Sequence, residues 1–306
     1  MRTRLHLILA LTLAPAACAT PRDLCAEGWE CLASRDYAGA LALFGRERAN
    51  GESAAAFLGE ARAEYFLGRL SKAKADYERA LLLEPRNAQG HVGLALVELG
   101  LGHWDAAIRS CDRALEIDAT LASAWYDRGL ANERAARADE ALSDLANALE
   151  HDPGFAEAHN ARGLVLVGLA RLEEAIEEFR LAAQLEPLLS AAHANCAAAS
   201  YARGDVERAL SELDTAIKID RRRPLYYANR GRIYLDQGDA ERAAADFERA
   251  LALGEDARLW LLLAEAHERG GRADEGQRES ARAVQLDPTL ERGVRPAGQT
   301  SNDCND

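Results

Sequence analysis

The sequence lacks the common catalytic signatures and, beyond its first residues, any long apolar run. Its 306 residues contain no HExxH motif, no glycine-rich phosphate loop and no GxSxG motif. The apolar stretch LHLILALTLA near the N-terminus has about ten residues, whereas a membrane-spanning helix needs roughly 20. The sequence therefore indicates no catalytic site and no transmembrane helix in the mature chain.

Lysine is also scarce, with 3 Lys against 34 Arg, and acidic residues outnumber basic ones so that the formal net charge is −13. Such a chain repels phosphate backbones, which argues against nucleic acid as a partner. The one short basic run, residues 221–223, directly precedes Pro224. We interpret this run as a solvated turn rather than a binding patch.

The N-terminus has the three zones of a secretion signal. MRTR is basic, LHLILALTLA is apolar and PAAC contains small residues, so residues 1–17 are interpreted as a signal peptide. The stretch around Cys18 resembles the lipobox of bacterial lipoproteins, in which the cysteine is lipidated and becomes the new N-terminus. Ala16 and Ala17 match that motif, whereas Pro15 stands where the motif usually has a branched aliphatic residue.

The lipobox resemblance implies a lipid anchor at Cys18. Ala19 differs from the Asp that is associated with retention in the inner membrane, which implies sorting to the outer membrane. The alternative is ordinary signal cleavage after Ala-Cys-Ala at residues 17–19, which would release a free protein.

An internal repeat organises the rest of the chain. Similar phrases end at Pro85, Pro153, Pro187 and Pro288, and the spacing of the first three is a multiple of 34 residues. This period divides the chain into seven units: 54–87, 88–121, 122–155, 156–189, 190–223, 224–256 and 257–290.

Aligned units share small and large residues at fixed places. The eighth place holds Ala61, Ala95, Gly129, Gly163, Ala197, Gly231 and Ala264. The twenty-fourth place holds Tyr77, Cys111, Leu145, Phe179, Leu213 and Phe247, then Ser280. Turn residues interrupt the helical spacing at mid-unit, at Gly68, Gly102, Gly204, Gly238 and Gly271. Each unit is therefore predicted to be a helical hairpin in which small residues allow close helix contact.

The pattern resembles the tetratricopeptide repeat, and the stretch YYANRGRIYLDQGDAERAAADFERAL (226–251) is a close match to that signature. The resemblance covers residues 54–290 and implies an all-α, right-handed α-solenoid of stacked helix-turn-helix hairpins. A degenerate repeat with shorter helices, within the segment 18–53 that starts at the lipobox cysteine, is expected to cap the array. Residues 291–306 are predicted to be a disordered tail.

One covariation predicts ion pairs between the two helices of a hairpin. The seventh place of three units is arginine, and an acidic residue stands sixteen positions later in the same units. The predicted pairs are Arg128 with Asp144, Arg162 with Glu178, and Arg230 with Asp246. We assign them a role in register rather than in function, because buried pairs are weak evidence for net stability.

The histidines and cysteines do not form a recognisable site. His91, His159 and His193 share the fourth place of their units, where other units have aromatic residues, so we interpret them as packing residues. Cys111 and Cys196 occupy core places and are expected to be buried. A Cys25–Cys31 disulfide is left open, because a regular helix would hold the two too far apart. Cys304 in the tail has no assigned partner. No metal, cofactor or small-molecule substrate is predicted.

Resemblance to the family implies that the first helix of each unit lines a groove that holds a partner. The inward-facing places hold Tyr126, Asp127, Asn160, Asn195, Asn229, Arg232 and Asp236. An asparagine can donate to and accept from an extended backbone, although it is equally a tolerated exposed helix residue. No fifth place is lysine, so the carboxylate clamp of chaperone-binding members is absent.

The predicted function is a non-catalytic scaffold that binds a protein or peptide and is lipid-anchored on the periplasmic face of a bacterial membrane. Lipoproteins with this repeat include the pilotins of type IV pili and adaptors in envelope assembly. The alternatives are a soluble secreted or cytosolic adaptor and, from another class, an enzyme with an unrecognised site. The absence of clustered acids, bases or nucleophiles argues against the enzyme.

Overall fold

The computed structural model describes residues 24–292, and every regular element in that range is helical. None of these helices is long and apolar enough to cross a membrane. The chain forms two compact bodies, one ending at Ala119 and the other beginning at Thr120. Cys18 and residues 293–306 lie outside the described range, so the predicted signal peptide, the lipid anchor and most of the tail are not described.

Both bodies consist of consecutive helix pairs. The first contains α1 (Leu24–Ala33), α2 (Tyr37–Asn50), α3 (Ala54–Phe66), α4 (Leu70–Leu83), α5 (Ala88–Leu101) and α6 (Trp104–Ile117). The second contains α7 (Ala122–Arg134), α8 (Ala138–His151), α9 (Ala156–Gly168), α10 (Leu172–Leu185), α11 (Ser190–Ala202), α12 (Val206–Ile219), α13 (Pro224–Asp236), α14 (Ala240–Leu253), α15 (Ala257–Arg269) and α16 (Ala273–Leu286), followed by a 3₁₀ turn (Pro288–Arg292). The predicted fold class, an all-α solenoid of helix-turn-helix hairpins, is confirmed.

Local sequence explains where the helices begin. The side chains of Ser53, Asn87 and Asp239 precede α3, α5 and α14, and each accepts a hydrogen bond from a backbone N–H in the first turn. Such a cap satisfies a donor that has no partner inside the helix. The second helix of four units ends two residues before a proline, because the residue that precedes proline is disfavoured in a helix.

The turn inside each hairpin requires a left-handed backbone conformation. The five predicted turn glycines all have positive φ, between 76° and 90°. Ala136 and Ala170 take the equivalent place in the third and fourth units, with φ of 59° and 58°. A side chain in that conformation costs about 1–2 kcal/mol, so these two turns are held by the packing of the helices on either side.

Aromatic residues of the second helix pack onto glycines of the first. Phe179 of α10 is fully buried and lies over Gly163 of α9, and Phe247 of α14 lies over Gly231 of α13 in the same way. The alternation of small and large residues seen in the aligned units therefore corresponds to ring-on-backbone packing within each hairpin.

We expect Gly163→Ala to destabilise the protein by about 1–3 kcal/mol, because overpacking a dense core forces side chains out of place. The added Cβ would come within 2.5 Å of Phe179 Cε1. Gly168→Ala, at the end of the same helix, is the matched control, since its Cβ would meet nothing within 4 Å. Urea unfolding followed by circular dichroism checks the pair, and equal effects at the two positions would contradict the packing argument.

The segment before the first full unit is a hairpin with one short helix. Helix α1 has 10 residues and α2 has 14. Phe44 is the centre of its core and meets the ring of Trp29 edge-on at 5.4 Å. Helix α1 runs without a break through both Cys25 and Cys31, and the two cysteines are not bonded to each other.

Candidate functional site

The predicted groove residues lie on α7, α9, α11 and α13, but the structure buries two of them. Tyr126 packs its ring 4.8 Å from that of Phe155, and Asp127 is only 1 % exposed. Both side chains therefore pack in the protein interior. Helical repeat places alone could not show this, because inward-facing positions at the fifth and sixth places differ in depth from unit to unit.

Two of the three predicted asparagines contact each other. The Asn195 amide donates to Asn160 Oδ1 at 2.9 Å, which joins α11 to α9. Asn229 is half-buried on α13 and makes no side-chain hydrogen bond within residues 24–292. Each amide has two donors and two acceptor lone pairs, so a single bond leaves most of their capacity for another molecule.

A second polar contact joins α11 to α13. The Tyr201 hydroxyl donates to Asp236 Oδ2, and this hydrogen bond is the main cause of a raised pKa at Tyr201. Asp236 is thus engaged within the protein, whereas Arg232 on the same helix is exposed. The side-chain bonds hold the first helices of three consecutive units in fixed register.

Apolar residues that were not predicted complete this surface. Leu164 is 47 % exposed and Val167 is 37 % exposed on α9, and Ala198 is exposed on α11. Helical spacing places Leu164 and Val167 one and two turns beyond Asn160. These residues lie on the first helices of three consecutive units, which we call A-helices. The A-helix face comprises Asn160, Leu164, Val167, Asn195, Ala198, Asn229 and Arg232. The signal was available, because Leu164, Val167 and Ala198 occupy the ninth and twelfth places, which the repeat assigns to the groove.

The three predicted ion pairs are confirmed. Arginine Nη2 and the carboxylate oxygen lie 2.7 Å apart for Arg128–Asp144, 2.5 Å for Arg162–Glu178 and 2.7 Å for Arg230–Asp246. Burial by itself would raise the pKa of Glu178, but hydrogen bonds from His159 and Arg162 outweigh it and hold this pKa below its ordinary value.

Cys196, His193 and Glu212 combine a thiol, an imidazole and a carboxylate, which are residue types found in cysteine-based catalysis. His193 Nδ1 lies 2.7 Å from Glu212 Oε2, and Cys196 lies one helical turn after His193 on α11. Burial raises the pKa of the Cys196 thiol to about 11. At neutral pH the sulfur is therefore protonated, and a thiol is a poor nucleophile.

The fold and the A-helix face define a repeat protein built of stacked helical hairpins. A profile of the tetratricopeptide repeat matches residues 58–122, 126–189 and 229–290, which is more than half of the chain. The chain belongs to the tetratricopeptide repeat family. Members of this family generally act as non-catalytic scaffolds that bind proteins or peptides.

Solved structures of other proteins share this fold. PilF of Pseudomonas aeruginosa is 21% identical, with a TM-score of 0.60 over 66% of this chain and 92% of its own. A tetratricopeptide repeat protein of Parabacteroides merdae is 20% identical, with a TM-score of 0.62 over 79% of this chain and 97% of its own. Human IFIT1, a dimer with PPP-AAAA, is also 20% identical, with a TM-score of 0.62 over 88% of this chain and 73% of its own. At these identities the likeness shows the fold alone. A comparison with curated protein sequences gives no significant match.

Proposed function

We propose that this protein is a lipid-anchored scaffold of the bacterial envelope that holds an extended peptide or a helix of a partner protein on the A-helix face. The observation that carries the proposal is the exposure of Leu164 and Val167 on α9, the helix whose Asn160 accepts a hydrogen bond from the half-buried Asn195 of α11. Apolar side chains with free hydrogen-bonding groups alongside them suit a partner that offers both apolar side chains and backbone.

Preorganisation supports this role. The Asn195–Asn160 and Tyr201–Asp236 hydrogen bonds fix the first helices of three units relative to one another. A surface that is already ordered loses less conformational entropy on binding. The partner would therefore meet a formed site.

The envelope location rests on the N-terminal sequence. The basic, apolar and small-residue zones before Cys18 support secretion, and the lipobox resemblance supports the anchor. A pilotin-like or envelope-assembly role is the specific form of the proposal. A soluble secreted adaptor is the alternative if Cys18 is removed by ordinary cleavage.

A Leu164→Arg/Val167→Arg variant is expected to recover at least about tenfold less of its partner from detergent-solubilised membranes, because central apolar contacts contribute most to binding. Both side chains are exposed, so the variant should fold, as circular dichroism can verify. Leu188→Arg is the matched control, since Leu188 is 76 % exposed and follows α10 outside this face. An Asn160/Asn195/Asn229→Ala variant tests the amides separately. Equal recovery of the partner protein by wild type and all variants would contradict the proposed binding site.

The anchor is tested by feeding cells a labelled fatty acid. We expect the wild-type protein to take up the label and Cys18→Ser to take up none. Incorporation that persists in Cys18→Ser would end the lipoprotein proposal while leaving the A-helix face untouched.

A further inference from the structure

A pocket in the fifth unit lies at the place where neighbouring units hold an arginine. The cavity measures about 230 Å³ and is lined by Phe179, Arg180, Ala183, Gln184, His193, Cys196 and Glu212. In the third, fourth and sixth units an arginine at the seventh place bonds the acid sixteen positions later. In the fifth unit the seventh place is Cys196, and Glu212 stands at the acidic place.

The fourth unit shows how a guanidinium is held in this arrangement. Glu178 Oε2 lies 2.8 Å from His159 Nδ1, and Glu178 Oε1 lies 2.5 Å from Arg162 Nη2. The fifth unit repeats the first half of that contact, with 2.7 Å between Glu212 Oε2 and His193 Nδ1. Within residues 24–292, Glu212 Oε1 has no hydrogen-bond partner. The fifth unit therefore has the histidine and the carboxylate of this arrangement, but it has Cys196 where the fourth unit has an arginine.

We propose that this pocket, between α10, α11 and α12, receives the guanidinium of an arginine side chain from a partner protein. Glu212 binds the guanidinium as Glu178 binds Arg162, and His193 holds the carboxylate in position. Arginine suits the site better than lysine, because its planar fork matches a carboxylate. A cavity of this size is smaller than the usual small-molecule site, which favours a single side chain. The net charge of −13 favours a basic partner.

The charge of Arg208 on α12 also acts on Cys196, and its Nε lies 4.0 Å from Asp205 Oδ2. Arg180, which lines the pocket, is a second competing cation among the described residues. Its Nη1 donates to both oxygens of Glu177, at 2.9 and 2.7 Å, so its charge is already paired. For Arg230, at the seventh place of the sixth unit, the residue equivalent to Arg180 is Asp214 of the fifth unit, and Asp214 binds that arginine. Arg180 already lines the pocket while its Nη1 is bonded to Glu177, so the test includes its removal.

The test is a titration of the full chain with N-acetyl-L-arginine N-methylamide, followed through the backbone amide signals of residues 193–197 and 212 by NMR. We expect saturable shifts with a Kd of about 1–10 mM. The citrulline counterpart, which has the same shape without the charge, should bind at least about tenfold more weakly. Glu212→Gln should lose binding, whereas Glu207→Gln, exposed on the same helix, should retain it.

Cys196→Arg supplies the missing guanidinium from within the chain. It should abolish probe binding and raise the melting temperature by about 1–2 °C, because one new interaction shifts the melting temperature less in a chain of 306 residues than in a small domain. Probe binding that survives in Cys196→Arg or in Glu212→Gln would overturn the proposal.

Two further experiments test whether Arg180 or a small molecule, rather than a partner's arginine, occupies the pocket. Arg180→Gln should bind the probe at least as well as wild type, and binding that appears only in Arg180→Gln would show that Arg180 fills the pocket instead. Agmatine carries the same guanidinium without peptide groups. If agmatine bound at least tenfold more tightly than the peptide-like probe, the pocket would be a binding site for a small guanidinium-containing amine. The assignment to a partner protein would then fail.

Discussion

Phe247→Ala is expected to lower the free energy of unfolding by about 3–5 kcal/mol, the usual cost of removing a buried aromatic ring. Phe247 is fully buried, and its ring lies against the backbone of Gly231. It belongs to the same core as Leu235 of its own hairpin and Leu263 of the following unit. The residual cavity would thus weaken both the hairpin and its contact with the next one.

The loss should be local, because each repeat is stabilised mainly by its nearest neighbours. Hydrogen exchange should accelerate most in α13 to α16, while urea unfolding reports the total change. Leu225→Ala on α13 is the control, since Leu225 is 57 % exposed and exposed substitutions usually stay within about 0.5 kcal/mol. A loss below about 1 kcal/mol in Phe247→Ala would contradict the packing described here.

Asp127→Asn is expected to stabilise the protein at pH 8 by about 1–3 kcal/mol, because it removes a negative charge from the protein interior while keeping the shape of the side chain. Asp127 is buried, and its Oδ2 has no hydrogen-bond partner among the described residues. Burial raises the pKa of this carboxyl well above its ordinary value. An amide of the same shape removes the cost of a buried negative charge.

The pH dependence follows from the direction of that shift. A carboxyl whose pKa is raised by folding contributes fully to stability only below its unfolded value, near 4, and the contribution is lost as pH rises through the folded value. The gain from Asp127→Asn should therefore be largest at alkaline pH and should shrink as the pH approaches 4. Protonation of the wild-type side chain removes the difference between the two proteins.

Urea midpoints measured between pH 4 and pH 8 check this expectation. Asp139→Asn on α8 is the control, because Asp139 is exposed and exposed substitutions usually change stability by less than about 0.5 kcal/mol. Equal midpoints for wild type and Asp127→Asn at pH 8 would show that the buried carboxyl costs nothing.

Much of the fold could be predicted because the same packing pattern recurs in successive repeat units of the sequence. The recurrence of small residues at the eighth place and large ones at the twenty-fourth predicted the contacts of Phe179 and Phe247 with glycine. Covariation between the seventh and twenty-third places predicted Arg162–Glu178 and its equivalents. Both patterns act inside one hairpin, over short sequence separations, so periodicity is enough to reveal them.

The candidate site was predicted less completely. The repeat places selected Asn195 and Asn160, which the structure joins, but also Tyr126 and Asp127, which it buries. Depth at a groove position depends on the side chains of neighbouring units and on how closely their helices approach. No single unit contains that information.

The sequence by itself determined the helical hairpins, their register and the ion pairs within them, because these depend on spacing along the chain. Only the tertiary structure decided which groove residues are exposed, and only it showed that replacing an arginine by Cys196 leaves a cavity beside Glu212. The physical reason is that exposure and empty volume are properties of several packed units together. A substitution in one unit therefore changes the space between that unit and its neighbouring units.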